Sequence, residues 1–172
     1  MTSPTTTPVE RDEAAAATIR RHHEHLVAEL ETLVAALGTA PGTAPGTAPG
    51  TRGTDPGEAS GSAKARLVDW ARTSLAPHAA GEETTFYRTA AGTEAGHLLV
   101  AALVAEHGVI LGIVDAIEAS TEPAAAAAWA EALLRVFTSH AAKENDLVLP
   151  LLVADPGANL EALLEEMHHE VH

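Results

Sequence analysis

Four stretches of this chain space their apolar residues in steps of three and four, and a histidine interrupts each apolar stripe. The spacing is that of one helix face, and it leaves little room for anything but an all-helical fold. In the first stretch the stripe is Ile19, His23, Leu26, Leu30, Leu33 and Leu37. In the second it is Leu67, Ala71, Leu75, His78, Glu82 and Phe86, and in the third Val100, Val104, His107, Leu111, Val114 and Ile117. The fourth runs Leu133, Phe137, His140, Glu144 and Val148. Twice a glutamate follows the histidine by four residues, as His78/Glu82 and His140/Glu144. On a helix such a pair shares a face, with Cβ atoms roughly 5–6 Å apart. Charges set into a core-facing stripe need partners or metals, because burying them alone is very costly.

Helix limits follow from the punctuation between stripes. Residues 1–13, rich in Thr and Pro, read as a flexible tail, with helix 1 running from near Glu13 to Gly38. The tetrapeptide repeat between Thr39 and Thr51 predicts a disordered Thr/Ala/Pro/Gly linker over about 38–62, a tolerated surface insertion. Helix 2 is expected from about Ala63 to Thr89, with Pro77 kinking it just before His78. Helix 3 is expected over about Glu94–Ala119 and helix 4 over about Pro123–Leu149, ended or bent by Pro150. A short fifth helix, about Asn159–Glu170, carries Leu160, Leu163, Leu164 and Met167, and Trp129 is expected to pack in the core or between helices. The fold class is an all-α, up-down-up-down four-helix bundle over residues 14–172, with that short C-terminal helix.

At 1.5 Å rise per residue, His23 lies roughly 21 Å before the end of helix 1 and His78 roughly 22 Å after the start of helix 2. The other levels agree to about one turn, within the uncertainty of helix ends. His23, His78, Glu82, His107, His140 and Glu144 are therefore expected in one slab across the bundle. No stripe Lys or Arg accompanies the two carboxylates. A pair of cations would neutralise them.

Composition narrows the chemistry. The 172 residues suffice for one domain, and the absence of Cys removes disulfides, thiolate ligands and Cys nucleophiles. Any metal must use His nitrogen and carboxylate oxygen, a set suited to iron, manganese or zinc. A net charge of −14 argues against a nucleic-acid partner. No apolar run marks a signal peptide in Met1–Glu13. The apolar segment Leu98–Ile117 is interrupted by Glu106, His107 and Asp115, which fits a bundle helix rather than a membrane span. A cytoplasmic protein is the expectation.

The combination of motifs resembles the hemerythrin-like family, the HHE cation-binding domains. The matching text is His23-Glu24-His25-Leu26, then His78-x-x-x-Glu82-Glu83 with Phe86-Tyr87, then Glu106-His107, then His140-x-x-x-Glu144-Asn145 with Leu149-Pro150. It covers roughly residues 14–153 apart from the linker. The resemblance implies two iron ions in an oxo- or hydroxo-bridged non-haem centre, with His23, His78, His107 and His140 as terminal ligands and Glu82 and Glu144 as bridges. Manganese or zinc could take the same ligands. Oxygen-carrying hemerythrins have a fifth histidine four residues before the third-helix ligand, where this chain has Leu103. The four-His, two-Glu set looks more like the iron–sulfur-cluster repair proteins and other bacterial HHE domains. It implies an additional open position and favours redox or small-molecule chemistry over carriage. The repair proteins carry a Cys-containing N-terminal module, and this chain has no Cys.

The expected partner is accordingly a small molecule, O₂, NO or peroxide, met in sensing, storage or stress defence, with a separate redox or output protein. An enzyme reducing NO or peroxide, or donating iron for cluster repair, is the alternative. An interaction bundle with incidental histidines is the third reading, and it predicts no stoichiometric metal. Of the remaining candidates, His22 rivals His23 one position off the stripe. His97 is expected near a helix end and solvated, and Glu83 and Glu106 on the surface or behind the ligands. Tyr87 is expected to pack, with a hydrogen bond to the site as the lesser option. His168, His169 and His172 are expected to be frayed terminal residues.

Overall fold

The computed structural model describes residues 7–38 and 56–170, and side chains over 7–38 and 60–167. The Thr-Ala-Pro-Gly repeat, residues 1–6 of the expected tail and the side chains of His168, His169 and His172 lie outside that range. Among the described residues the chain is an all-α helical bundle with no strand. Its elements are α1 (Pro8–Gly38), α2 (Pro56–Trp70), α3 (Ala76–Thr84), α4 (Phe86–Ala91), α5 (Gly96–Ala119), α6 (Pro123–Lys143), α7 (Leu149–Ala154) and α8 (Leu160–Glu170). A π-helical turn, Ala71–Leu75, joins α2 to α3, and a second, Glu144–Val148, joins α6 to α7.

Two helices begin earlier than expected. Helix α1 starts at Pro8 rather than near Glu13, because Thr7 and Glu10 close a capping box. Glu10 Oε2 accepts from the Thr7 N–H at 2.7 Å, and Thr7 Oγ1 accepts from the Glu10 N–H at 3.3 Å. Helix α2 starts at Pro56 rather than Ala63, so residues 56–62 are helical and not linker. Proline suits a first helical turn, where its missing N–H would have had no partner.

Neither Pro77 nor Pro150 ends its helix; each follows a π-helical turn. Each π-turn finishes two residues before a proline and contains the residue four before it, Thr73 or Asp146. Proline offers no N–H to that carbonyl, and its ring presses on it. Widening the turn resolves the clash. The Ala76 and Leu149 N–H groups bond five residues back, to Ala71 and Glu144. Helix 2 breaks again at buried Thr85, whose hydroxyl donates to the Gly81 carbonyl at 2.6 Å. Between α4 and α5, a Cβ on Gly96 would sit 2.0 Å from the Ala90 carbonyl oxygen, so the close approach requires glycine.

The fold divides into two compact units, residues 1–25, 77–107 and 139–172 in one, and 26–76 and 108–138 in the other. The second unit is an apolar core of Leu26, Leu30, Leu37, Leu67, Leu75, Ile110, Val114, Ile117, Leu133 and Phe137. Polar ties surround it. Arg72 pairs with Asp115 and, at 3.2 Å, with Glu118. The Trp70 indole N–H donates to Glu29 at 3.0 Å. Lys64 Nζ donates to the carbonyls of Glu118 and Ser120, at and just beyond the C-terminus of α5, where a cation is favoured.

The first unit has its own apolar cluster, including Ile19, Phe86, Val100, Leu103, Leu149, Leu152, Leu160 and Met167. Helix α8 is fastened there by its N-terminus: Asn159 Oδ1 caps Ala162 at 3.0 Å, and Asp12 Oδ1 accepts from the Leu160 N–H at 2.8 Å. The stripe of α5 differs from expectation. Leu103 and Ile110 are buried, while Val104 is exposed and Leu111 half-buried. His107 belongs to both registers, so its placement survives the change. Trp129, expected in the core or between helices, is 44% exposed and so not in the core.

Candidate metal centre

The first unit also contains a buried polar cluster. His23, His78, Glu82, His107, His140 and Glu144 come together there, each between 1 and 4% exposed. His23 comes from α1, His78 and Glu82 from α3, His107 from α5 and His140 from the last turn of α6. Glu144 opens the second π-turn. His22, its ring edge-on to His78 with centroids 4.9 Å apart, is exposed and outside the cluster, as is His97.

The carboxylates lie between the imidazoles. Glu82 Oε1 is 3.1 Å from Nε2 of both His23 and His78, and Glu82 Oε2 is 3.7 Å from His107 Nε2. Glu144 Oε1 is 3.3 Å from His140 Nε2, and Glu144 Oε2 is 3.6 Å from His23 Nε2. Each carboxylate therefore turns its two oxygens to different histidines. Two overlapping sets of donors result: Glu82, His107, His140 and Glu144, and His23, His78 and Glu82. Within each set the donor atoms all lie within 4.8 Å of one another, and Glu82 belongs to both.

Partners behind the histidines fix three of the four rings. The Nδ1–H of His23 donates to Asn145 Oδ1 at 2.8 Å, that of His107 to Glu83 Oε1 at 2.8 Å and that of His140 to Glu106 Oε2 at 3.1 Å. Lys143 in turn holds Glu106. With the outer nitrogen donating, the neutral ring that a cation requires would present its Nε2 lone pair inward. The Tyr87 hydroxyl donates to Glu144 Oε1 and lies 3.3 Å from His140 Nε2. Its ring stacks on His107, with centroids 5.4 Å apart. Tyr87 thus does more than pack.

In the protein alone the buried imidazoles and carboxylates partly compensate one another. Burial pulls the His23 imidazole down, but the hydrogen bond and charge of Glu82 and the charge of Glu144 outweigh it and raise it to about 9. Burial likewise opposes charge on His140, and Glu144 and Glu106 raise it. For Glu82 burial works upward, yet the charges of His78 and His23 and the His23 hydrogen bond hold it well below the usual carboxylate range. Burial and the charges of Glu144 and Glu82 push the Tyr87 phenol far up. His22, exposed on one side but packed edge-on against His78, is driven down to about 4, first by partial desolvation and then by the charges of His78 and His23.

Even so, His78 Nε2, Glu82 Oε2 and Glu144 Oε2 remain buried without a hydrogen-bond partner among the described residues. His78 Nε2 is close to Glu82 but not aligned to bond it. Orphaned lone pairs of this kind cost about 1–3 kcal/mol each. Nitrogen and oxygen donors converging from several helices fit a metal centre of His and carboxylate type.

The comparisons with known proteins agree with this chemistry. A family model described as the hemerythrin HHE cation-binding domain matches residues 14–152 and again residues 98–172. No curated protein matches. No solved structure does either.

Proposed function

The chain belongs to the hemerythrin HHE cation-binding family, and from that premise we propose a non-haem di-iron protein that binds or reacts with O₂, NO or peroxide, in sensing, storage or stress defence. Cation binding follows from the family and from the buried His/Glu cluster. One observation carries the step from one ion to two: Glu82 turns Oε1 to His23 and His78 and Oε2 to His107, and Glu144 turns Oε1 to His140 and Oε2 to His23. Two buried carboxylates so divided could be shared by a pair of ions. His23, His78, His107 and His140 would then be terminal ligands through Nε2. Manganese or zinc would fit the same donors, but zinc, having no redox chemistry, would not support the proposed reactions.

Iron in the centre would supply electrons to the bound small molecule. The chain's own contributions are positional. Asn145, Glu83 and Glu106 hold three rings in one tautomer. The Tyr87 hydroxyl, fixed on Glu144, holds that carboxylate and would offer a buried hydrogen bond to a bound small molecule. Leu103, fully buried, stands where oxygen-carrying hemerythrins have a fifth histidine, and would leave a coordination position without a protein ligand. Leu103 and Tyr87 together favour turnover over reversible carriage, so an enzyme reducing NO or peroxide is the second reading. A separate redox protein would then supply the electrons.

The test is to reduce iron-loaded protein without oxygen and add O₂, NO and hydrogen peroxide in separate stopped-flow experiments. Rapid spectral change with at least one, and repeated turnover when reductant is present, is expected. A reduced, iron-loaded protein inert to all three would overturn the proposal.

A further inference from the structure

The four inward-facing imidazoles are alike in front and different behind. His107 and His140 donate their outer N–H to carboxylates, Glu83 at 2.8 Å and Glu106 at 3.1 Å. His23 donates to the neutral amide oxygen of Asn145. His78 Nδ1 is buried and has no hydrogen-bond partner among the described residues. The difference sorts by side. His107 faces Glu82 Oε2, and it shares one donor set with His140. His23 and His78 face Glu82 Oε1 and form the other.

A carboxylate that accepts the outer N–H draws the proton away from the ring and makes the inner nitrogen more basic. It also fixes the ring's orientation. A neutral amide fixes orientation but polarises less. An unpartnered nitrogen does neither and leaves the tautomer unset. Glu106 also binds Lys143, which holds the carboxylate in place.

We propose that the two metal positions are unequal: the His107–His140 position takes a cation first and more tightly, with Glu83 and Glu106 as its positioning residues, and the His23–His78 position fills second and releases its ion first. The inference rests on the metal-centre reading above. It means that the centre is loaded one ion at a time and has a defined singly loaded form. The more labile ion sits on the His22 side, against His78.

Cobalt(II) is a suitable probe, added to the metal-free full chain without oxygen and followed by calorimetry and visible absorption. Repulsion between two cations would separate the steps even at equivalent positions. The deciding results are therefore which position fills first and which step each variant moves. At one equivalent of cobalt, anomalous diffraction should place the ion between His107 and His140. Glu83→Gln and Glu106→Gln keep a hydrogen-bond acceptor and remove the charge. The parent side chains are 40 and 31% exposed, so folding should survive. Each variant should weaken the first step about tenfold or more, within the range usual for such partners, and leave the second nearly unchanged. Asn145→Ala should weaken the second step only. A first ion between His23 and His78, an even division over both positions, or Gln variants that leave the first step unchanged would overturn the inference while leaving a two-ion centre intact. No cobalt uptake at all would remove the metal-centre reading and the inference with it.

Discussion

Replacing Tyr87 with Phe removes one hydroxyl and should show whether Glu144 is built to meet a cation. The Phe ring keeps the stack on His107, whose centroid is 5.4 Å away. What disappears is the hydrogen bond to Glu144 Oε1. In the metal-free protein Glu144 Oε2 already lacks a partner. Taking a donor from such a buried carboxylate should cost about 1.5–3 kcal/mol, the range for hydrogen bonds to charged groups. At about 2–4 °C per kcal/mol for a chain of this size, the melting temperature should fall by about 3–12 °C. A bound cation satisfies the same carboxylate, so the loss in the loaded protein should shrink to the ~0.5–1.5 kcal/mol of an ordinary hydrogen bond. Thermal unfolding by far-ultraviolet circular dichroism, on metal-free and loaded samples of both proteins, reads the difference. The expected pattern is a larger loss without metal, so that metal stabilises Tyr87→Phe more than the parent. Equal losses in the two states, or a larger loss when loaded, would refute the reasoning that Tyr87 and the cation satisfy the same carboxylate.

Further outcomes concern pH, backbone and ligand. His23 stands at about 9 in the folded metal-free chain against 6.5 in the unfolded one. Its stabilisation is complete below the unfolded value and is lost as pH rises through the folded one. Urea midpoints of metal-free protein should therefore fall between about pH 6.5 and 9, by at most about 3 kcal/mol at 1.36 kcal/mol per unit. The loaded protein should lack this slope, since metal takes the place of the proton. Gly96→Ala should lower the melting temperature with or without metal, by an amount equivalent to roughly 1–3 kcal/mol, because the new methyl meets the Ala90 carbonyl. Metal at a hundred times its dissociation constant should stabilise the parent by about 2.7 kcal/mol, and a chelator should reverse the gain in calorimetric scans.

The six residues of the cluster were legible because a histidine or glutamate in an apolar helical stripe has few ways to be tolerated. Their supports were less visible. Asn145 follows Glu144, Glu83 follows Glu82 and Glu106 precedes His107, each one residue from a cluster member. Each backs a histidine on a different helix. One residue is a rotation of about 100° on a helix, so these side chains leave their own stripe and reach behind a neighbour's histidine. A polar residue directly beside an expected ligand was the available signal, and it applied to Asn145, Glu83 and Glu106 alike. Lys143, behind Glu106, had no such mark. In helix 3, Leu103 and Val104 compete for one register step and Ile110 and Leu111 for the next, so periodicity alone could not choose the buried set. The Ala-rich run around Trp129 offered as little contrast. The π-turns insert a residue without changing composition. Only Pro77 and Pro150 announced them.

The central claim is a pair of metal ions in the first unit, and metal content tests it most directly. Protein reconstituted with ferrous iron without oxygen, desalted and analysed by plasma mass spectrometry should hold about two irons per chain, matching the two donor sets that share Glu82. Glu82→Gln, measured beside it, should retain one or none. A parent chain that retains no stoichiometric iron, manganese or zinc would contradict the account and leave the buried histidines without an explanation.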